Sequence, residues 1–285
     1  MIPLAQLKQD LGFVKDLGNI VDAFKTAALL QFHMFQRKEK PINGFLEEIE
    51  DALKIIGRGE RSSLYFVERS NLPSAYVVIT SDEGFLGELN TLLINATLDK
   101  RDSKEDEIVV LGERGAKYLE ETGEGFIFFP GVSEDVDYRE VQKLRNYLLR
   151  EYETRFNRIV VIYPEFVSLV IQKVKTIILL PYVFEEGGLA EEIKYKEILI
   201  EPDKKNVIEE IVRLMIGFKL WEVFWSAKQS EYAARIMHLE GSTQELNHLT
   251  KKLHHLYFKQ LHALSDKTIR EISASKILLK RKFSK

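Results

Sequence analysis

The strongest constraint on this chain is an apolar repeat of alternating three- and four-residue steps that occupies both of its ends. Near the C-terminus it begins in NVIEEIVRLMIGFKLWEVFW (206–225), where Val207, Ile211, Leu214, Phe218, Trp221 and Trp225 keep the step. It continues through Tyr232, Leu239, Leu246, Leu249, Leu253 and Leu256. Lys228, Arg235 and Ser242 are its interruptions. Near the N-terminus the same step runs through Leu4, Leu7, Leu11, Val14, Val21, Ala28, Phe32 and Phe35, broken at Gly18 and Lys25. It resumes at Ile42, Leu46, Ile49, Leu53 and Ile56. A seven-residue repeat this long calls for a partner helix and a left-handed supercoil. Pro41 predicts a kink, and Gly57 and Gly59 predict the end of the first helical segment. Asp203 is placed to cap the second, which no later proline obliges to stop. From 203 to 280 a helix would reach roughly 115 Å at about 1.5 Å per residue. After Leu256 the phase slips, and Leu261, Leu264, Ile269 and Ile272 lie off the earlier seam, which suggests a change of partner.

The middle of the chain has a different period. Short β-rich runs stand at 63–67, 75–80, 107–112, 125–130 and 158–164, with helical patterns at 85–99, 113–121 and 134–153. This alternation predicts an α/β layer with a parallel sheet. Two longer runs, 166–182 and 192–202, read as further strands. The fold class expected is therefore α/β plus a long coiled coil: an antiparallel two-helix coiled coil of the N- and C-terminal helices, with a Rossmann-like α/β domain inserted at one end. The segments are 1–58, 59–202 and 203–285.

Composition and motifs remove several function classes. Lys and Arg total 41 against 44 Asp and Glu, which lacks the basic excess of a nucleic-acid protein. There is no cysteine, so disulfides, zinc–thiolate sites and thiol switches are out. The start MIPLAQLKQD is unlike a signal peptide, and no apolar run is long enough for a membrane span. GRGERSS (57–63) and GERGAKY (112–118) lack phosphate-loop spacing, and no glycine fingerprint follows a strand. His248, His255 and His262 recur every seven residues, two turns apart, where one metal needs ligands one turn apart. The acidic groups at 47–51, 120–121 and 134–137 face no candidate base or nucleophile and read as solvated surface. No cofactor, metal or catalytic residue is expected. An α/β enzyme with its site in 60–200 would need a concave pocket with perturbed carboxylates.

Five segments, in order, resemble the gamma subunit of F-type ATP synthases, the central rotor stalk. IVDAFKTAALLQFHMFQ (20–36) is similar to "ITKAMEMVAASKMRKAQ", and VITSDEGFLGELN (78–90) resembles the "SDRGLCGGLN" signature. The run 163–181 resembles the family's "KF" and "LLP" region, IEPDKK (200–205) its "YEPD", and SEYAARIMHLEGST (230–243) its "SEQAARMVAMKAAT". The departures are Glu83, Leu86 and Glu88 for the signature's arginine, cysteine and second glycine, and Asp22 and Gln31 for two lysines. In QLHALSDKTIREISASK (260–276), Glu271 and Ile272 match the family, while Leu261 and His262 replace its Arg–Gln pair.

The resemblance implies a divergent, non-catalytic rotor that couples ion flow through a membrane ring to ATP synthesis or hydrolysis. Its partners would be the alpha and beta subunits, epsilon and the membrane c-ring. Its place would be the cytoplasmic face of a bacterial inner membrane, as a peripheral protein. It assigns ring contact to Leu261, His262, Leu264, Ile269, Ile272, Lys276, Lys280 and Arg281, and epsilon or membrane-ring contact to Glu201, Asp203, Asp82 and Glu83. The seam is expected at Phe32, Phe35, Leu46, Leu53, Ile211, Phe218, Trp221 and Trp225. The alternative is a coiled-coil adaptor that kept the fold without the motor.

Overall fold

A computed structural model describes residues 3–38, 44–57, 64–67, 69, 72–182, 200–201 and 203–282. Three of these elements come from the heptad repeat: α1 (Leu4–Arg37), α2 (Phe45–Gly57) and α6 (Lys204–Lys282). The α/β layer runs β1 (Ser74–Ile79), α3 (Leu89–Lys100), β2 (Glu107–Leu111), α4 (Glu113–Thr122), β3 (Ile127–Phe129), α5 (Tyr138–Thr154), β4 (Arg158–Phe166) and β5 (Gln172–Leu180). The described residues group into two units, one of Met1–Ala28 with His238–Lys285, the other of Leu29–Met237.

Within the first unit α1 and α6 pair antiparallel. Lys25 Nζ lies 3.2 Å from Glu240 Oε2, and Thr243 Oγ1 donates to Asp22 Oδ1 at 3.3 Å. The bond to Glu240 raises the Lys25 ammonium above its ordinary pKa. Lys25, an interruption in the apolar repeat, is thus a cross-helix ion pair. Leu7, Val14 and Ala28 on the α1 seam are buried.

Within the second unit the same antiparallel order holds. Phe35 stacks on Trp225 with ring centroids 4.3 Å apart, Phe45 meets Phe218 at 4.8 Å, and Glu50 pairs with Lys219 at 2.7 Å. Phe32, Phe35 and Leu53 are buried as the repeat requires, and Leu46 is half-buried. On α6 the repeat covers only part of the buried face. Ile211, Phe218 and Trp221 are half-buried and Leu214 is 43% exposed, whereas Ile208, Val212, Met215, Ile216, Leu220, Val223 and Phe224 are shut away from solvent. This second line exists because α6 also packs on the α/β layer. Trp221 Nε1 donates to the Val136 carbonyl at 3.3 Å, and Tyr138 lies against both Trp221 and Phe218. The kink expected at Pro41 lies outside the described residues.

The sheet has the order β3-β2-β1-β4-β5, parallel except for the β4–β5 pair. β1, β2 and the first part of β4 are buried on both faces, which explains their unbroken runs of Val and Ile. β5 lies at an edge and alternates in exposure over much of its length. The run 63–67 is not a strand: Leu64–Phe66 form a 3-10 turn whose Tyr65 is buried against α5. The run 166–182 is not one long strand either. It holds the end of β4, a turn and β5, because Ser168 and Ile171 close a hairpin there. The strand read at 192–202 lies outside the described residues apart from 200 and 201.

Helix ends follow local chemistry. Asp203 Oδ1 accepts from the Asn206 amide at 2.9 Å and caps α6; Asp137 caps α5 in the same way. Arg69 donates to the carbonyls of Tyr152, Glu153 and Phe156, closing the other end of α5.

Gly115 packs α4 so tightly on β1 that an added Cβ would sit 2.4 Å from Thr80 Oγ1. Gly115→Ala is expected to destabilise by about 1–3 kcal/mol, seen as a lower denaturant midpoint at constant slope. Tyr65 donates to Glu153 at 3.0 Å, and burial pushes its phenol up to about 12 from 10.0. Between those values the folded state holds a proton that the unfolded chain has lost, so stability falls as pH rises through that window. Tyr65→Phe should flatten the fall, read as unfolding free energy against pH.

Candidate functional site: the filled crevice and the exposed helix

Doubly wound sheets bind ligands outside the carboxyl ends of their strands, where the strand order reverses. Here that point lies between β1 and β4. The loop after β1 is SDEGFLGELN, and three of its side chains organise it. Ser81 N donates to Asn90 Oδ1 at 3.2 Å, and Asn90 Nδ2 donates to Ser81 Oγ at 2.9 Å, closing the loop on itself. Asp82 Oδ1 accepts from the amides of Glu113 and Gly131, at 3.0 and 3.1 Å. One carboxylate thereby ties together the segments that follow β1, β2 and β3. Gly112 follows β2 with φ +99, and a Cβ there would meet the Thr80 carbonyl at 2.6 Å. Leu86, where the family has cysteine, is buried in the core between β1 and α3.

The crevice is occupied by α6. Ser230 Oγ donates to the Pro164 carbonyl at 2.9 Å, and the Phe166 amide donates to Ser226 Oγ at 3.1 Å, both at the end of β4. Lys228 Nζ donates to the Val132 carbonyl and to Glu231 Oε2, each at 3.1 Å. Glu231 Oε1 also lies 2.7 Å from Arg235 Nη2. Arg235 continues to Glu83 Oε2 at 3.0 Å and to the Gly84 carbonyl at 3.4 Å. Lys228, Glu231 and Arg235 are all buried. Tyr232, packed between Phe35 and the Lys228 ammonium, has its phenol pKa raised, first by burial.

About 10 Å³ remains open at this point, bounded by Thr80, Ser81, Asn90, Pro164, Lys228 and Glu231. That is room for about one water and not for a nucleotide. An open trough of about 580 Å³ also runs between Arg37, Lys175 and Trp225. Two of its cations are already engaged, Lys38 with Asp135 and Lys175 with Glu165. Among the described residues no group of three or more His, Asp and Glu is placed to hold a metal ion.

The expected contact residues fall in two places. Asp82 and Glu83 stand together at the sheet's carboxyl end and are engaged within the chain, although both keep exposed surface. Glu201 and Asp203 are exposed at the start of α6, apart from Asp82 and Glu83 in sequence. Leu261, His262, Leu264, Ile269, Ile272 and Lys276 lie in a stretch, 261–276, exposed at every position, with Ile269 at 61%. Lys280 and Arg281 belong to the same helix. The heptad pattern missed a second exposed apolar row on α1, formed by Phe13, Ile20 and Phe24 beside the buried seam. Its sequence signal was the width of the apolar face.

A family model described as ATP synthase matches residues 3–275. This chain belongs to the gamma family of ATP synthases. It is 26% identical to the ATP synthase gamma chain of Halothermothrix orenii, across 95% of this chain and 97% of the relative. It is 25% identical to that of Clostridium beijerinckii, across 88% and 89%. A chain from the Euglena gracilis mitochondrial ATP synthase, OSCP/F1/c-ring in rotational state 3, superposes with a TM-score of 0.71. The identity is 16%, and 97% of this chain and 94% of that one are covered. Another, from the rotor of the same enzyme, gives 0.65. These two establish the likeness of fold. Asp82 and Asn90 in this gamma-family loop hold it closed through bonds within the chain.

The aromatic contact between α1 and α6 carries the pairing of these helices in the second unit. Phe35→Ala is expected to cost about 3–5 kcal/mol, measured by thermal or denaturant unfolding.

Proposed function

We propose that this chain is the central-stalk rotor subunit of a rotary F-type ATP synthase. The observation that carries this is the near end-to-end match to gamma chains, with the antiparallel helix pair and the α/β layer both present. The subunit performs no chemistry of its own. ATP binding and turnover belong to the alpha and beta subunits, and the angle of this shaft biases their sites. Epsilon and the membrane ring engage the other end. Segments 1–58 and 203–285 form the shaft, and 59–202 the inserted domain.

The chemistry of the surface supports this division. A turning tip has to exclude water without fixing one angle, and Leu261, Leu264, Ile269 and Ile272 offer contact without direction. Lys276, Lys280 and Arg281 add a basic charge that steers toward acidic surfaces and weakens with salt. Asp82, Glu83, Glu201 and Asp203 present carboxylates at the inserted domain and at the start of α6, and are assigned to epsilon or the membrane ring. Among the described residues no helix is long and apolar enough to cross a membrane. By its likeness to bacterial gamma chains, we assign the subunit to the periphery of the complex, on the cytoplasmic face of a bacterial inner membrane.

Two measurements test this. The tagged chain should co-purify with alpha and beta subunits; recovery as a free homodimer would favour the adaptor. Deleting 273–285 should shift stability by no more than about 0.5 kcal/mol, since residues 273–276 are exposed, yet lower the ions pumped per ATP. A truncated chain that unfolds while the assembled complex runs unchanged would overturn the tip assignment.

A further inference from the structure

The apolar repeat of α6 is broken at Lys228 and Arg235, one heptad apart, with Glu231 between them. All three are buried, and together they reach the loops that follow β1 and β3. Ser226 and Ser230 reach the end of β4 from the same turns of helix. Around these residues α6 also packs through apolar and aromatic side chains such as Val223, Phe224 and Trp225. Such contacts hold area together but resist sliding poorly, because burial is non-directional. Buried ion pairs add little net stability, and apolar replacements are often neutral or stabilising. A polar residue set into an apolar seam is instead a register device. The Lys228–Glu231–Arg235 run costs desolvation, so its presence calls for a role other than affinity.

We infer that Lys228, Glu231 and Arg235, with the two serines, are positioning residues that lock the angular and axial register of α6 against the sheet, forming the joint through which torque passes between the inserted domain and the shaft. The inference rests on the rotor assignment. Loop closure around Asp82 and Asn90 makes the sheet side of the joint stiff, and the Lys228 and Arg235 hydrogen bonds to main-chain carbonyls bypass flexible side chains. Glu83, where the family has arginine, extends the run outward to solvent.

The test uses the assembled complex carrying the triple variant K228M/E231L/R235M. It should fold and hydrolyse ATP within about twofold of the parent while pumping at least about fivefold fewer ions per ATP, since the lost groups supply register more than stability. The chain has no cysteine, so spin labels can be placed at exposed Phe128 and Leu214 alone. Their distance distribution should be single and narrow in the parent and broadened in the variant. Unchanged pumping per ATP, or a parallel fall of hydrolysis, pumping and melting temperature, would overturn the inference. If the triple variant does not fold, S226A/S230A decides. It removes two hydroxyls and no charge, and pumping per ATP should fall about twofold while ATP hydrolysis stays within about twofold of the parent, with only the modest fall in melting temperature that lost hydrogen bonds bring. No loss there overturns the lock. Failure of the parent chain to assemble with alpha and beta subunits would count against the rotor assignment and not against the joint.

Discussion

The structure depends on how a single 79-residue helix is held. A helix satisfies its own backbone, but most of its stability in water comes from packing an apolar face. Between Ile208 and Ile236, α6 buries two faces within one unit. One meets the N-terminal helices through Phe35, Trp225, Phe45 and Phe218; the other lies across the carboxyl ends of β1, β3 and β4. The same packing that supports the helix occupies the crevice in which doubly wound folds seat a ligand. A Rossmann-like layer is thus used as a clamp, and its binding position is taken by its own chain.

The kinds of contact change along α6. Against the sheet they include hydroxyls, an ammonium and a guanidinium directed at named carbonyls. Toward the C-terminus they give way to exposed Leu and Ile with no polar partner fixed to them. Directional bonds suit a joint that has to keep one register. Apolar contact suits a surface that meets its neighbours at more than one angle. The interruptions in the repeat mark this division: Lys25 meets Glu240 across the helix pair, and Lys228 and Arg235 meet the loops of the sheet.

Much of this was legible in particular residues. The α1 seam from Leu4 to Phe35 is buried or half-buried at each apolar step, because one partner helix explains its period. On α6 the same period marked Trp225 and Tyr232 but passed over Ile208, Val212 and Leu220. A helix gripped on two sides has no single stripe. SLYFV looked like a strand from its β-rich composition; yet Tyr65 is held by α5, and the chain turns instead. The two serines, and the charges read only as breaks in a seam, gave no sign of their partners, which lie about 60 to 150 residues away.

The sequence by itself determined the parts: two helical ends with a shared heptad period, a parallel α/β layer between them and a helix start at Asp203. These are local or periodic features, and periodicity survives without knowledge of the partner. Only the tertiary structure decided which face of α6 meets the sheet, that the crevice at the strand ends is filled, and that Lys228, Glu231 and Arg235 form one connected run. Burial and ion pairing between distant segments are set by where the chain returns to itself, and no spacing along one strand or helix encodes that meeting.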